Sequence, residues 1–112
     1  MGVRSSSSEL LPGTLDLLIL RTLAAGRVHG YGIALRLKLV SDEVLQVGES
    51  SLYPALQRLL LSGWVKAEWG ASENNRRARF YNLTRAGRKQ LTIEREQFSR
   101  MVNAIYKVLE MA

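Results

Sequence analysis

The 112-residue sequence predicts an α+β fold, mainly helical, from three changes of pattern along the chain. Apolar residues recur at helical spacing in three short segments between Pro12 and Gly63. The period then shortens to two, from Val65 to Trp69 and again from Arg79 to Leu83, as in a pair of strands. From Thr84 to Ala112 the helical period returns and holds to the last residue.

The elements follow in order. Residues 1–11 include the run Ser5 to Ser8, which buries nothing, and they read as a flexible arm. The opening Met1-Gly2-Val3-Arg4-Ser5-Ser6 fits a myristoylation pattern, but one short enough to arise by chance. Pro12 opens the first helix, Leu15, Leu18, Ile19 and Leu23 form its apolar face, and Gly26 stops it. Arg27-Val28-His29-Gly30 reads as a turn. A second helix then places Ile33, Ala34, Leu37 and Val40 inward and ends near Ser41-Asp42. A third runs through Leu52, Leu56, Leu59 and Leu60 to Gly63. Proline lacks a backbone N–H, so Pro54 should fall in the first turn of that helix, with Ser50 or Ser51 as its N-cap.

In the two strands, Val65, Ala67 and Trp69 alternate with Lys66 and Glu68, and Arg79, Tyr81 and Leu83 with Phe80 and Asn82. The loop between them, Gly70 to Arg77, carries asparagines and ends on two arginines. Thr84 caps the last helix, whose 29 residues from Thr84 to Ala112 would span about 43 Å. Domain organisation is therefore an arm (1–11), a helix-and-hairpin domain (12–83) and a C-terminal helix (84–112).

Charge gives the first indication of function. The net charge is +6, and six basic residues with no acidic one lie between Arg76 and Lys89; outside that stretch ten basic residues balance ten acidic. Such clustering is the footprint of a polyanion binder, because neutralising phosphates releases condensed counterions. The absence of cysteine excludes disulfides and thiolate metal sites. No apolar run is long enough to span a membrane and no signal core follows Arg4, so a cytoplasmic, unexported protein is expected. Catalysis finds little support. His29 is the single histidine, and Asp16, Glu43 and Glu49 fall in separate segments with no pocket implied. No cofactor or metal is expected.

Three short helices and a hairpin with a basic tip make a winged helix-turn-helix, in which the third helix enters the major groove and the hairpin, or wing, reaches the backbone. On that reading Ser50, Ser51, Tyr53 and Gln57 face the bases, Arg58 anchors a phosphate, and Arg76, Arg77 and Arg79 supply the charge of the wing. Several short blocks then resemble the PadR family of bacterial transcriptional regulators: His29-Gly30-Tyr31-Gly32-Ile33, Ser51-Leu52-Tyr53-Pro54-Ala55-Leu56, Gly63-Trp64-Val65, and Arg79-Phe80-Tyr81-Asn82-Leu83-Thr84-Arg85-Ala86-Gly87. The resemblance implies a winged-helix dimer on double-stranded DNA, usually a repressor. It assigns DNA contacts to Tyr31, Ser51, Tyr53, Arg76, Arg77 and Tyr81. The chain matches the short-tailed members with one C-terminal helix, and that helix carries Phe98, Met101 and Tyr106 but no tryptophan, unlike members that hold flat aromatic ligands between tryptophans. A small-molecule effector is left open. The other reading of the same fold is a protein-interaction module whose basic strip meets an acidic partner.

The last helix bears its own signal. Leu91, Phe98 and Ile105 recur every seven residues, Met101 and Val108 follow at three, and Val102 and Leu109 widen the stripe. So long an apolar face outruns a small domain, so a homodimer interface is expected along it.

Overall fold

The computed structural model of the chain describes residues 13–112; Pro12 and the serine arm lie outside them. The elements run α1 (Thr14–Ala24), β1 (Val28–His29), α2 (Gly30–Val40), α3 (Glu49–Leu61), β2 (Val65–Ala71), β3 (Arg77–Leu83) and α4 (Arg85–Leu109). The three strands form one antiparallel sheet in the order β1-β3-β2.

Helix α1 is the centre of the domain, packed by α2, α3, β3 and α4. Its core residues are Leu17, Ile19, Leu20 and Leu23, while Leu15 and Leu18 are only partly buried. A single apolar face was expected. Neighbours on several sides bury a wider arc than one stripe, and that is why Leu17 and Leu20 join it. Around α1 the core closes with Ile33 and Leu37 of α2, Leu52, Ala55, Leu56 and Leu59 of α3, and Val65, Tyr81 and Leu83 of the sheet.

Three further expectations are corrected. The segment read as a turn at Val28-His29 is strand β1, pairing Val28 with Tyr81 and His29 with Phe80. Val40, expected in the core, is 74% exposed at the last turn of α2. Neither Ser50 nor Ser51 caps α3: the cap is Gly48, and Pro54 sits five residues into the helix after Glu49. Pro54 therefore deprives the Ser50 carbonyl of its intrahelical donor, a loss tolerated because both residues face solvent. Trp69 and Arg79 are exposed, because the far half of the hairpin extends beyond the helices that cover its base.

The root of α4 is fixed as the sequence suggested. Thr84 caps the helix by accepting from the Gly87 N–H at 3.0 Å, and its hydroxyl donates to the Gly63 carbonyl at 2.7 Å. The Thr84 N–H bonds the Trp64 carbonyl at 3.0 Å. Gly87 is buried against that same carbonyl, where a Cβ would lie 2.0 Å from the oxygen. Leu91 packs on the core. Beyond it α4 still borders the start of α1, where Glu94, Gln97 and Phe98 line a cavity with Thr14 and Leu17, and then leaves the domain, reaching about 37 Å in its 25 residues. The radius of gyration, 15.6 Å, accordingly exceeds the roughly 13 Å of a compact chain this size.

Candidate nucleic-acid interface

Two elements bring the candidate residues together. The first is the N-terminal half of α3, where Leu52, Ala55 and Leu56 turn inward and Ser50, Ser51, Tyr53 and Gln57 are left facing solvent. The second is the hairpin. Its strands are closed by Ser72 and Arg76, with the Ser72 N–H donating to the Arg76 carbonyl at 2.8 Å, and Asn75 takes the left-handed conformation (φ 58°) that asparagine tolerates in such loops.

Between α3 and the hairpin lies an open groove of about 610 Å³ that brings together Tyr31, Tyr53, Arg76, Arg77 and Arg79. The arginines are partly ordered by aromatic faces. The Arg77 guanidinium stands 4.3 Å from the Trp69 ring centroid and that of Arg79 lies 5.9 Å from Tyr81. Tyr53 approaches α2 closely: a Cβ on Gly30 would come within 2.7 Å of its hydroxyl, so glycine is what admits the ring. Burial raises the Tyr53 pKa above its ordinary value, with the Tyr81 phenol and the Glu49 carboxylate pushing the same way. Its hydroxyl therefore remains a neutral donor at physiological pH.

Not every candidate belongs to this surface. Tyr81 lines the groove but is only 4% exposed, a core residue whose ring lies under the Arg79 guanidinium. Arg58 points to α1, where it bonds Asp16 at 2.7 Å, and that bond raises its pKa. Ser50, Ser51 and Gln57 are exposed on α3 but do not line the groove.

Sequence reasoning missed two contributors. Trp69 was read only as a residue of the strand, yet it is the platform for Arg77. His29 was read as part of a turn; its Nδ1 accepts the Gly32 N–H at 3.0 Å and caps α2, while its ring meets Phe80 edge-on. Behind the hairpin Arg27 covers the other side of this cluster, 4.2 Å from the Phe80 centroid and ion-paired with Glu68. A β-branched residue before a histidine and a glycine was the available signal for β1.

Residues 19–93 match the model of the transcriptional regulator PadR-like family. The chain belongs to that family. Its members are transcriptional regulators, not enzymes, and the four helices and small sheet of this PadR-like chain match their winged-helix structures. A transcriptional regulator from Clostridium thermocellum superposes with a TM-score of 0.77 at 30% identity, over 85% of this chain and 92% of that one. A PadR family regulator from Clostridium difficile gives 0.73 at 27%, over 87% and 99%. A PadR-like regulator from Bacillus cereus gives 0.79 at 24%, over 94% and 100%, a likeness of fold. Among the described residues, no helix is long and apolar enough to cross a membrane.

The apolar stripe of α4 divides at Leu91. That residue packs on the PadR-like domain, Val102 is half-covered, and Phe98, Met101, Ile105, Val108 and Leu109 are exposed.

Proposed function

We propose that this regulator is a bacterial, cytoplasmic repressor that binds a pseudo-palindromic operator as a homodimer. The observation that carries the reading is the groove in which Tyr53 of α3 meets three arginines of the hairpin, beside the exposed Ser50, Ser51 and Gln57 of the same helix. In this arrangement α3 enters the major groove, with Ser50, Ser51, Tyr53 and Gln57 offering hydroxyl and amide groups to base edges or phosphates. Arg76, Arg77 and Arg79 lie along the neighbouring backbone, and Tyr31 joins them from α2. Arg58 serves mainly to tie α3 to α1, since its charge is already engaged by Asp16. Pairing of the exposed α4 stripes, Phe98 through Leu109, brings two such surfaces to one face of the duplex, ideally about 34 Å apart.

The test is the salt dependence of binding. Replacing Arg76 and Arg77 by alanine should weaken binding to specific and random duplexes alike and reduce the log-affinity against log-salt slope by up to about 2 units per wing. An unchanged slope would remove the wing from the interface. A wild-type chain with no salt-sensitive affinity for any duplex would point instead to a protein partner.

A further inference from the structure

A second cavity shares no residue with the α3–hairpin groove. It lies along the seam of α1 and α2, has a volume of about 310 Å³, and is floored by Leu18, Ala25, Leu37, Val40 and Leu45. A smaller cleft of about 230 Å³ continues it past Thr22 and Arg36 toward Gly32. The size is at the lower end of small-molecule sites. Val40, which the domain leaves uncovered, forms one wall of it.

The chemistry of the lining narrows the ligand. Among the described residues the charged members of the larger cavity are Arg21 and Arg36, and both are exposed. Among the described residues neither has an ion-pair partner. The two hydroxyls are already engaged: Thr22 donates to the Leu18 carbonyl at 2.8 Å, while Ser41 donates to the Lys38 carbonyl and accepts from the Leu45 N–H. The floor is wholly aliphatic, with no ring to stack on a flat ligand. Two guanidinia beside an apolar floor, with no carboxylate and no spare hydroxyl donor, suit an anion with an apolar body better than a cation, a sugar or a planar cationic aromatic. We propose that this cleft binds a small aliphatic monocarboxylate, its chain on Leu18, Leu37, Val40 and Leu45 and its carboxylate held by Arg21 and Arg36. Such a ligand would bridge the central helix and the first helix of the helix-turn-helix. Its binding is independent of any DNA contact.

Octanoate is the probe, titrated into the full chain and followed by calorimetry and by methyl NMR. Saturable one-to-one binding is expected, with shifts at Leu37 and Val40. Octanol should bind more weakly and octylammonium not at all. Replacing both arginines, Arg21→Gln with Arg36→Gln, should weaken octanoate by about tenfold or more, the fold-change of a lost charge-assisted hydrogen bond. Val40→Glu, at an exposed position, should do the same by placing a carboxylate in the cleft and keeps the test decisive if the double variant is unstable. Absence of saturation overturns the proposal. So does octanol binding as tightly as octanoate, binding that survives these substitutions, or shifts confined to the methyls of Met101 and Ile105, which would place the ligand on α4.

Discussion

Gly87→Ala tests how α4 is joined to the domain. In an exposed helix the change would stabilise by up to about 1 kcal/mol, because alanine loses less backbone entropy than glycine. Here the new Cβ would stand 2.0 Å from the Trp64 carbonyl oxygen and 2.7 Å from a Leu83 methyl. The methyl can rotate away, but the carbonyl is held by the Thr84 N–H and has no free path. Restoring ordinary contact means moving α4 and the α3–β2 turn apart by more than about 1 Å, with an overpacking cost of about 1 to 3 kcal/mol. The same movement stretches the Thr84 cap, which contributes about 1 kcal/mol more. After the gain in helix propensity, a net loss of about 1 to 3 kcal/mol remains, a large share of the stability of a domain this size. Urea unfolding followed by far-ultraviolet circular dichroism, at one fixed protein concentration, measures it. Ser99→Ala, at an exposed position of α4, serves as a control and should be neutral or slightly stabilising. A Gly87→Ala midpoint at or above that of the wild type would show that the turn yields freely and would refute the packing argument.

Truncation after Gln97, or Phe98→Asp with Ile105→Asp, should leave a folded monomer in sedimentation that binds its operator far more weakly; a truncated dimer would remove α4 from the interface. Ser50→Ala or Gln57→Ala should relax preference at one base position per half-site by about 1 to 3 kcal/mol if the contact is direct, and uniform weakening across sequences would reassign the residue to the backbone. Trp69→Ala should free Arg77 and lower duplex affinity about two- to fivefold, corresponding to a cation–π contact of about 0.5 to 1 kcal/mol, read by fluorescence anisotropy. Tyr53 has its pKa raised in the folded chain, so what its phenol adds to stability is present below pH about 10 and is lost as pH rises through the raised value. In an absorbance titration at high pH, Tyr53→Phe should remove a late-ionising phenol, and loss of an early one would contradict the assigned burial.

What the sequence made legible was set by range. Thr84 and the long amphipathic stripe are local signals, and both the cap and the helix stand where they were expected. The start of α3 was misjudged because Pro54 is a local signal outweighed by packing: beginning at Gly48 lets Leu52 join the core, and the exposed Ser50 carbonyl loses little. Strand β1, with only two residues, is too short to show alternation and exists because β3 offers it an edge. Trp69 satisfied the period of its strand, but the core ends beneath Ala67 and Tyr81, a limit set by where the helices stop. The engagement of Arg58 by Asp16 spans 42 positions, a separation over which no sequence pattern can be read.

The bonds that join Thr84 to Gly63 and Trp64 make the root of α4 continuous with the end of α3. They turn α4 into a lever. Over its length of about 37 Å, a tilt of about 10° at the root carries the far end through about 6 Å. Read in reverse, a shift of several ångströms where two such arms cross becomes a modest rotation of each α3, without any deformation of the small domain. In the proposed dimer, the fit to an operator is then set by the angle of the arms, so substitutions among Met101, Ile105 and Val108 would retune half-site spacing from a place that touches no DNA.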